Sequence, residues 1–264
     1  MEVIFGYLAS ALIGISLGLI GGGGSILTVP VLVYLFHVEP SLATVYSLFI
    51  VGTTSLVGGI QSAVNKHVDF RTASVFALPS FLSVMISRHF VLPLIPEKIF
   101  SWHSFFLTKD IALMIFFSLI MLLAAVSMLR SKKYTPEEEN ASTNYVKLMF
   151  KGVLVGFLTG IIGAGGGFLI IPALVLLADL PMKKAVGTSL IIIAFNSLLG
   201  FLGDMYTGQS INYLFMFIVS GIAIGGVFIG IYFARFIPAR RLKNGFAGFV
   251  LGMSLLIMIK ELWF

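Results

Sequence analysis

Long apolar runs separated by short polar turns dominate the chain, and they predict its helices. The first half has predicted helices over residues 3–20, 41–64, 72–95 and 110–129, with a short loop at 97–109. The second half has predicted helices over 147–162, 183–206, 211–236 and 243–263. Several of these runs reach the roughly 20 apolar residues that a bilayer-spanning helix needs. The pattern therefore predicts an all-α polytopic membrane protein.

Two glycine-rich breaks interrupt this pattern at matching places. The first is Gly21–Ser25, and the second, Gly163–Gly167, follows 142 residues later. Residues 14–32 and 156–174 align without a gap and are identical at nine of nineteen positions. Glycine costs about 1 kcal/mol relative to alanine inside a helix, so each run of small residues ends a helix. Short helices are predicted after the breaks, over 26–36 and 168–178.

The 142-residue offset continues beyond the breaks, which makes the repeat a whole bundle. It still holds at Ala43 and Ala185 and at Pro96 and Pro238, although the first half inserts about eight residues before its last helix. We predict three segments: a first membrane repeat at 1–129, a hydrophilic linker at 130–146 and a second membrane repeat at 147–264. The two repeats are expected to be pseudo-symmetric.

Composition agrees with a membrane location and excludes several classes of protein. The chain is 58% hydrophobic and 11% charged, whereas soluble domains carry about 25% charged residues. Disulfide and thiol chemistry are excluded because there is no cysteine. The net charge of +6 bears on membrane orientation and not on nucleic acid, because Lys and Arg concentrate on the cytoplasmic side of membrane proteins.

The positions of the 17 Lys and Arg residues separate two topologies. If residues 3–36 and 147–178 each span the membrane, the halves are parallel and the cations divide eight to nine. If both segments are re-entrant hairpins, the halves are inverted and the cations divide thirteen to four. The second division fits the positive-inside rule. It predicts inverted repeats, with the central linker in the cytoplasm and both termini outside.

The breaks have the features of an anion site. The first amide groups of a helix lack partners, and the helix dipole puts about half a positive charge there. Glycines let an anion approach such amides, and pairs of broken helices in inverted repeats recur in transporters. The predicted substrate-binding residues at the breaks are Gly21, Gly22, Gly23, Gly24 and Ser25, with Gly163, Ala164, Gly165, Gly166 and Gly167. The alternative is that these glycines only allow close helix packing.

Polar residues on the neighbouring helices are predicted to line the same site. Ser47 and Thr54 lie two helical turns apart and share a face, and Ser189 and Asn196 hold the equivalent positions. Hydroxyl and amide groups can donate to an oxyanion without the cost of burying a cation. Interhelical hydrogen bonding explains any one of these residues equally well. Asn196 is the strongest candidate, because an amide near the middle of a membrane helix needs partners.

Arg88 and Asp204 are candidates for a charge or coupling role, because charged residues within membrane helices usually mark function. Both lie near predicted helix ends, so snorkelling of Arg88 to the headgroups is the alternative. The four histidines have no ligand-like spacing, and no nucleophile elbow, phosphate loop or paired carboxylate is present. We therefore expect no enzymatic activity, no cofactor and no metal site.

The chain resembles the TauE/SafE sulfite exporter family, also called the toluene sulfonate uptake permease family. The resemblance rests on Gly18-x-x-Gly21-Gly22-Gly23-Gly24 with Pro30, on its repeat Gly160-x-x-Gly163-Ala164-Gly165-Gly166-Gly167 with Pro172, and on Ala185-Val186-Gly187-Thr188-Ser189-Leu190. It spans essentially the whole chain. It implies a secondary carrier in the inner membrane for sulfur-containing anions such as sulfite, sulfonates, sulfoacetate or thiosulfate.

The expected function is transport of such small anions by alternating access, with substrate at the two breaks. An uncoupled anion channel and a substrate-free membrane scaffold are the alternatives. The expected partners are the anion, the lipid bilayer and a coupling ion, either a proton or sodium. Nucleic acid is not expected, and assembly into a homo-oligomer is left open.

Overall fold

The computed structural model describes residues 2–91, 94–96, 98–102, 105–130, 145–162, 167–204 and 211–263. The first half contains α1 (Glu2–Ile20), a 3₁₀ turn (Gly22–Gly24), α2 (Ser25–Tyr34), α3 (Pro40–Val64), α4 (Phe70–Ile86), a π-helical turn (Ser87–Val91), strands β1 (Lys98–Trp102) and β2 (Phe105–Thr108), and α5 (Lys109–Arg130). The second half contains α6 (Tyr145–Ile162), α7 (Gly167–Leu176), α8 (Met182–Asp204), α9 (Tyr213–Ala234) and α10 (Ala239–Trp263).

The helical fold is confirmed, with two local differences from the predicted elements. The segment predicted as a loop at 97–109 contains an antiparallel hairpin of β1 and β2. The helix predicted over 72–95 ends as an α-helix at Ile86 and continues as the π-helical turn to Val91. Side-chain caps fix two helix starts: Asp69 accepts from the amide of Thr72 at 3.0 Å, and Asn212 accepts from the amide of Phe215 at 3.1 Å.

Five of the described helices are long and apolar enough to cross a membrane, namely α3, α5, α8, α9 and α10. The helices α1, α2, α4 and α7 are also apolar but shorter. The described helices thus form a multi-pass membrane protein with several additional short helices around the glycine breaks.

The chain turns back on itself at the first break, so α1 and α2 form a helical hairpin. A Cβ atom placed on Gly24 would lie 2.7 Å from the carbonyl oxygen of Ile13 in α1. At the open end of the hairpin, the rings of Tyr7 and Phe36 meet edge to face with their centroids 5.3 Å apart. The start of α1 and the end of α2 therefore lie at the same end of the molecule.

A second hairpin consists of α6 and α7. The Lys151 ammonium in α6 donates to the carbonyl oxygen of Leu177, just beyond α7. The turns that leave the two hairpins are also equivalent. The amide of Val38 donates to Leu32, and the amide of Leu180 donates to Leu174, both at 3.0 Å. His37 and Asp179, at equivalent positions, both have positive φ, 55° and 53°.

Each hairpin packs against a helix of the other repeat. Helix α1 runs parallel to α9: Cβ atoms placed on Gly14 and Gly18 would lie 1.9 Å and 2.3 Å from the carbonyl oxygens of Ala223 and Val227. In the same way, α6 runs parallel to α4. Cβ atoms on Gly156 and Gly160 would lie 2.3 Å and 2.8 Å from the carbonyl oxygens of Ser80 and Val84. Glycine therefore allows backbone to pack directly on backbone at both interfaces.

Helices α3 and α8 form the centre of the molecule and run antiparallel. Gly52 faces Leu198. Gly59, seven residues further along α3, faces Ile191, which lies seven residues earlier in α8. The contact is also symmetric, because Gly58 faces Leu190 and the equivalent pair is Gly200 with Leu48. Helices α5 and α10 form the remaining pair, in which the Ser254 hydroxyl donates to the carbonyl oxygen of Ser118 at 2.9 Å.

The core lies around α7. Its first eight residues, Gly167 to Leu174, are all buried, and the ring of Phe168 packs edge to face on Phe117 of α5 at 5.0 Å. Only four residues of α2 are buried: Ser25, Ile26, Thr28 and Leu32. Helix α7 is therefore more enclosed than its equivalent α2.

The packing of α1 on α9 predicts a position-specific effect of a single methyl group. Gly14→Ala should lower the stability of the folded protein by about 1–3 kcal/mol, because the methyl group would overlap Ala223. The matched control is Gly225→Ala in α9, where no atom lies within 4 Å of the added Cβ. That control should be neutral or stabilising by up to about 1 kcal/mol through helix propensity. Thermal unfolding in detergent measures both, and equal midpoints would contradict the packing.

Candidate functional site

The described parts of the two glycine breaks, Gly21–Ser25 and Gly167, meet at the middle of α8. A Cβ atom placed on Gly22 would lie 2.0 Å from the carbonyl oxygen of Gly167 and 3.0 Å from Cδ1 of Ile193. A Cβ on Gly167 would lie 3.0 Å from the Ser25 hydroxyl and 2.9 Å from the same Ile193 atom. Ile193 lies eleven residues from each end of the 23-residue α8. The described parts of the two breaks are thus in contact halfway along a membrane-spanning helix.

Local backbone geometry explains the first break. Gly21 has φ +76°, a conformation that favours glycine, and its amide still donates to Leu17 at 2.7 Å. The next three glycines form a 3₁₀ turn, and the Ser25 hydroxyl donates to the carbonyl oxygen of Gly22 at 2.6 Å. Helices α2 and α7 begin at Ser25 and Gly167, one residue before the predicted starts. The amide of Ser25 donates to the carbonyl oxygen of Gly22, so the partial positive charge at the first break falls on the 3₁₀ turn that precedes α2. At the second break it falls on the first amides of α7.

Close packing is one clear role of these glycines. A side chain on Gly22 or Gly24 would overlap backbone atoms of Gly167 or Ile13. Gly23 differs from them, because an added Cβ would meet side chains and not backbone: the nearest is the ring of Phe246 at 3.1 Å, which would have to move by a few tenths of an ångström. Gly23 is therefore the one position in the first break where a methyl group tests function more than folding.

The N-terminal part of α8 packs on the first break through one short segment. The hydroxyl of Ser189 and Cγ1 of Val186 lie 2.9 Å and 3.3 Å from the Cβ position of Gly21. Between them, Gly187 allows the carbonyl oxygen of His67 to approach its Cβ position to 2.3 Å, and the Thr188 hydroxyl accepts from the amide of Asp69 at 3.0 Å. This segment therefore ties the first break to the turn between α3 and α4.

Ser47, Thr54 and Ser189 all donate back to their own helices. Ser47 donates to Thr44 and Ser189 to Val186, both at 2.8 Å, and Thr54 donates to Ile50. Such bonds occupy the hydroxyl hydrogen but leave oxygen lone pairs free. The structure brings Ser189 to the first break. The residue equivalent to its partner Gly21 is Gly163, which lies outside the described residues together with Ala164, Gly165 and Gly166.

Asn196 belongs to a polar strip between α8 and α4. Its amide nitrogen lies 3.4 Å from the Ser80 hydroxyl, while its amide oxygen is buried without a hydrogen-bond partner. Two further buried hydroxyls without partners, Ser87 and Thr159, lie at the C-terminal ends of α4 and α6. The Ser87 Cβ is 2.6 Å from the Cβ position of Gly160, three residues before the second break. Unpaired polar groups in a membrane interior cost free energy, so each of these three needs a physical explanation.

Sequence reasoning missed Ser80, Ser87 and Thr159. The signal available was the spacing Ser80, Ser83, Ser87, which puts three hydroxyls on one face of a helix. Ser83 is paired, since its hydroxyl donates to the carbonyl oxygen of Val153 at 2.8 Å. Serine is so common in membrane helices that this spacing is informative only when the neighbouring helix is known.

The two charged candidates occupy separate positions. Arg88 lies in the π-helical turn that follows α4, and its side chain lies outside the description. Asp204 is the last residue of α8 and is half-buried. Among the residues described, no group of three His, Asp or Glu side chains is placed to hold a metal ion.

The unpaired amide oxygen of Asn196 generates a stability test. Asn196→Leu, which keeps the branched shape, should leave the unfolding midpoint unchanged or raise it, because it removes a buried unpaired group that costs about 1–3 kcal/mol. The control Ser83→Ala should lower it by about 1 kcal/mol, because that hydroxyl is paired. If the two substitutions destabilise equally, Asn196 is a structural residue.

Comparisons with known proteins agree with this architecture. The family model "Sulfite exporter TauE/SafE" matches residues 7–257. A probable membrane transporter protein of Xylella fastidiosa strain 9a5c is 30% identical over 97% of this chain and 94% of its own length. The probable membrane transporter protein YunE of Bacillus subtilis is 30% identical over 79% of this chain and 80% of its own.

More distant relatives carry the same description. A probable membrane transporter protein of Haemophilus influenzae is 26% identical over 96% of this chain and 97% of its own length. No solved structure matches the chain significantly. Because the family model covers nearly the whole chain, including both breaks, the protein belongs to the TauE/SafE sulfite exporter family of membrane transporters.

Proposed function

We propose that the protein is a secondary transporter that carries small anions, of the sulfur oxyanion or organosulfur class, by alternating access. The observation that carries this proposal is the contact of Gly22 with Gly167 beside the midpoint of α8. Two short helices, α2 and α7, begin at this contact, so their partial positive charges converge at one depth. An anion bound between them would be stabilised without a buried cation.

The substrate class comes from the family and from the chemistry of the lining. The family model is described as a sulfite exporter. The candidate lining offers backbone amides and the amide nitrogen of Asn196, which are donors that suit an oxyanion. The hydroxyls of Ser25 and Ser189 would join them by turning away from the carbonyl oxygens of Gly22 and Val186. Ser47 and Thr54 complete the proposed lining from α3.

The repeats are proposed to be inverted in the membrane. Antiparallel packing of the equivalent helices α3 and α8 means that, if both cross the bilayer, they cross in opposite directions. The return of α2 along α1 supports a re-entrant segment. With the thirteen-to-four division of cations, this arrangement puts the linker in the cytoplasm and both termini outside an inner membrane.

The packing of each hairpin on a helix of the opposite repeat indicates which helices move together. One unit comprises the first hairpin with α9, and the other comprises the second hairpin with α4, because each hairpin is fixed to its partner by backbone contact. Rocking of these two units about the α3–α8 contact would expose the breaks to one side and then to the other. Close packing of Gly22 on Gly167 is expected of an occluded carrier and favours it over an uncoupled channel. A proton or sodium gradient would drive the cycle, with Asp204 and Arg88 as candidate coupling groups.

A methyl group at Gly23 tests the proposed site. Gly23→Ala should reduce anion uptake into proteoliposomes at least tenfold, because the methyl group shields the break amides, while the unfolding midpoint stays close to the parent value. Sulfite, thiosulfate and a sulfonate form the substrate panel. The matched control is Gly200→Ala, whose added Cβ would meet Leu48 at an ordinary 3.5 Å.

Full uptake by the Gly23 variant would rule out substrate at the breaks. Absence of uptake by the parent for every anion in the panel would favour the scaffold alternative.

Topology has its own test, because the chain has no cysteine. Single cysteines at Glu2, Val38 and Ser142 are labelled in intact cells with an impermeant maleimide. Inverted repeats predict labelling at Glu2 and Val38 and protection at Ser142, because the first hairpin returns to the face from which it enters. Labelling at only one of Glu2 and Val38 would show that residues 3–36 cross the membrane and would exclude the inverted arrangement.

A further inference from the structure

A basic cavity lies one helical turn from the first break. It is partly open to its surroundings, has a volume of about 40 Å³, and is bordered by the ends of α1, α3, α8, α9 and α10. The polar residues of its lining are Ser62, Asn65, His67, Lys183 and Arg235. No acidic side chain is among the described residues that line it. The cavity lining therefore combines two basic side chains with the hydrogen-bonding groups of Ser62, Asn65 and His67.

The turn after α3 and the end of α9 position these polar groups. Helix α3 ends in a turn in which Lys66 adopts φ +59°, and the amide of His67 donates to the carbonyl oxygen of Ser62 at 2.9 Å. This turn directs His67 toward α8, where Gly187 gives its carbonyl room. The Arg235 guanidinium at the end of α9 lies 3.4 Å from the Asn65 amide oxygen. Two turns from opposite repeats thus present their polar groups to one space.

The electrostatic field in the cavity is positive. The pKa of His67 is lowered from its usual value by burial, then by Lys183 and then by Arg235. Lys66 and Asp69 flank His67 on its own turn, and Asp69 is engaged as the cap of α4. The other elements that face the cavity, α1 and α10, contribute Gly18, Leu19 and Leu242. A site that disfavours a third positive charge favours an anion.

The cavity also lies next to the first break. Val186 lines the cavity, and its Cγ1 lies 3.3 Å from the Cβ position of Gly21. Ser189, whose hydroxyl lies 2.9 Å from the same position, is nearly one turn further along α8. Gly18 lines the cavity from α1, three residues before the break. An anion in the cavity would thus be separated from the break by a single layer of side chains.

Resting on the function proposed above, we infer that this cavity is a second anion site, a vestibule that holds the oxyanion on the linker side of the membrane before or after it occupies the breaks. Lys183 and Arg235 supply charge, and Ser62, Asn65 and His67 supply hydrogen bonds. Release or capture of a divalent or monovalent oxyanion would occur here. The same oxyanion chemistry is present in the headgroup of an anionic lipid, and the test separates the two sources.

Equilibrium binding of radiolabelled sulfite, sulfate and thiosulfate to the purified protein in nanodiscs tests the inference. Lys183→Gln and Arg235→Gln should each weaken the Kd about tenfold, because each removes a charged hydrogen-bond donor. The matched control is Arg240→Gln, an exposed cation of α10 outside the cavity lining, which should leave the Kd within twofold. Binding that is equal in all three variants and the parent would overturn the vestibule.

A pH series adds a readout that a structural role would not change. Sulfate keeps its charge between pH 8 and 5.5, so tighter sulfate binding at the lower pH reports uptake of a proton by the protein. The parent should bind more tightly at pH 5.5, because the bound anion offsets the field that lowers the pKa of His67. His67→Gln should remove most of that pH dependence. A pH dependence unchanged by this substitution would contradict the role of His67.

Further arms distinguish the remaining outcomes. Nanodiscs of zwitterionic lipid and of lipid with phosphatidylglycerol are compared. If the cavity substitutions alter only the effect of phosphatidylglycerol and not the Kd of the free anion, the cavity binds lipid and the inference is overturned. If no anion binds the parent in either bilayer, both the vestibule and the proposed function fail. If Gly23→Ala abolishes transport while the cavity substitutions change neither Kd nor transport, the proposed function stands and the vestibule alone fails.

Discussion

Interrupted backbone in the middle of a bilayer must be covered by protein, and this requirement organises the molecule. Lipid offers no partner to a free amide or carbonyl group. Each break is a place where a helix stops at membrane depth, and the described part of each is covered by the other, with Gly22 against Gly167. A covered break also needs walls that approach to backbone distance. The glycines of α1, α6 and α9 provide that approach, and the antiparallel pair of α3 and α8 holds the two breaks at one level.

Backbone-to-backbone packing at glycines also explains why each hairpin is held by the opposite repeat. Between membrane helices the hydrophobic effect is weak, so association depends on close van der Waals contact and on hydrogen bonds. Gly14 and Gly18 on α1 make this contact with α9, and their equivalents Gly156 and Gly160 on α6 make it with α4. The two hairpins are consequently held more by the opposite repeat than by their own. Such an exchange links any movement of one repeat to a movement in the other.

The sequence predicts the helices, and the starts of α2 and α7 to within one residue, because both leave local signals. Glycine runs end helices, and the 142-residue offset marks equivalent positions such as Ser47 and Ser189. Partner choice leaves no local signal. Nothing in Gly14 or Gly226 says that they face each other, and Ser80 becomes notable only when Asn196 is found beside it. The cavity at His67, Lys183 and Arg235 was hidden for the same reason: its groups come from three separate turns. The hairpin at Lys98–Thr108 was missed because apolar strands and loops of a few residues share the same composition.

Because each hairpin packs on a helix of the opposite repeat, the two hairpins meet their partners at different times during synthesis. Helix α6 is synthesised after its partner α4, so the second hairpin finds its binding surface already in place. Helix α1 is the first to emerge, but the residue that Gly14 contacts, Ala223, lies about 200 residues later in the chain. The first hairpin therefore spends most of translation without its partner, with its glycine face open to lipid or to the insertion machinery. Completion of α9 is the step that closes the fold.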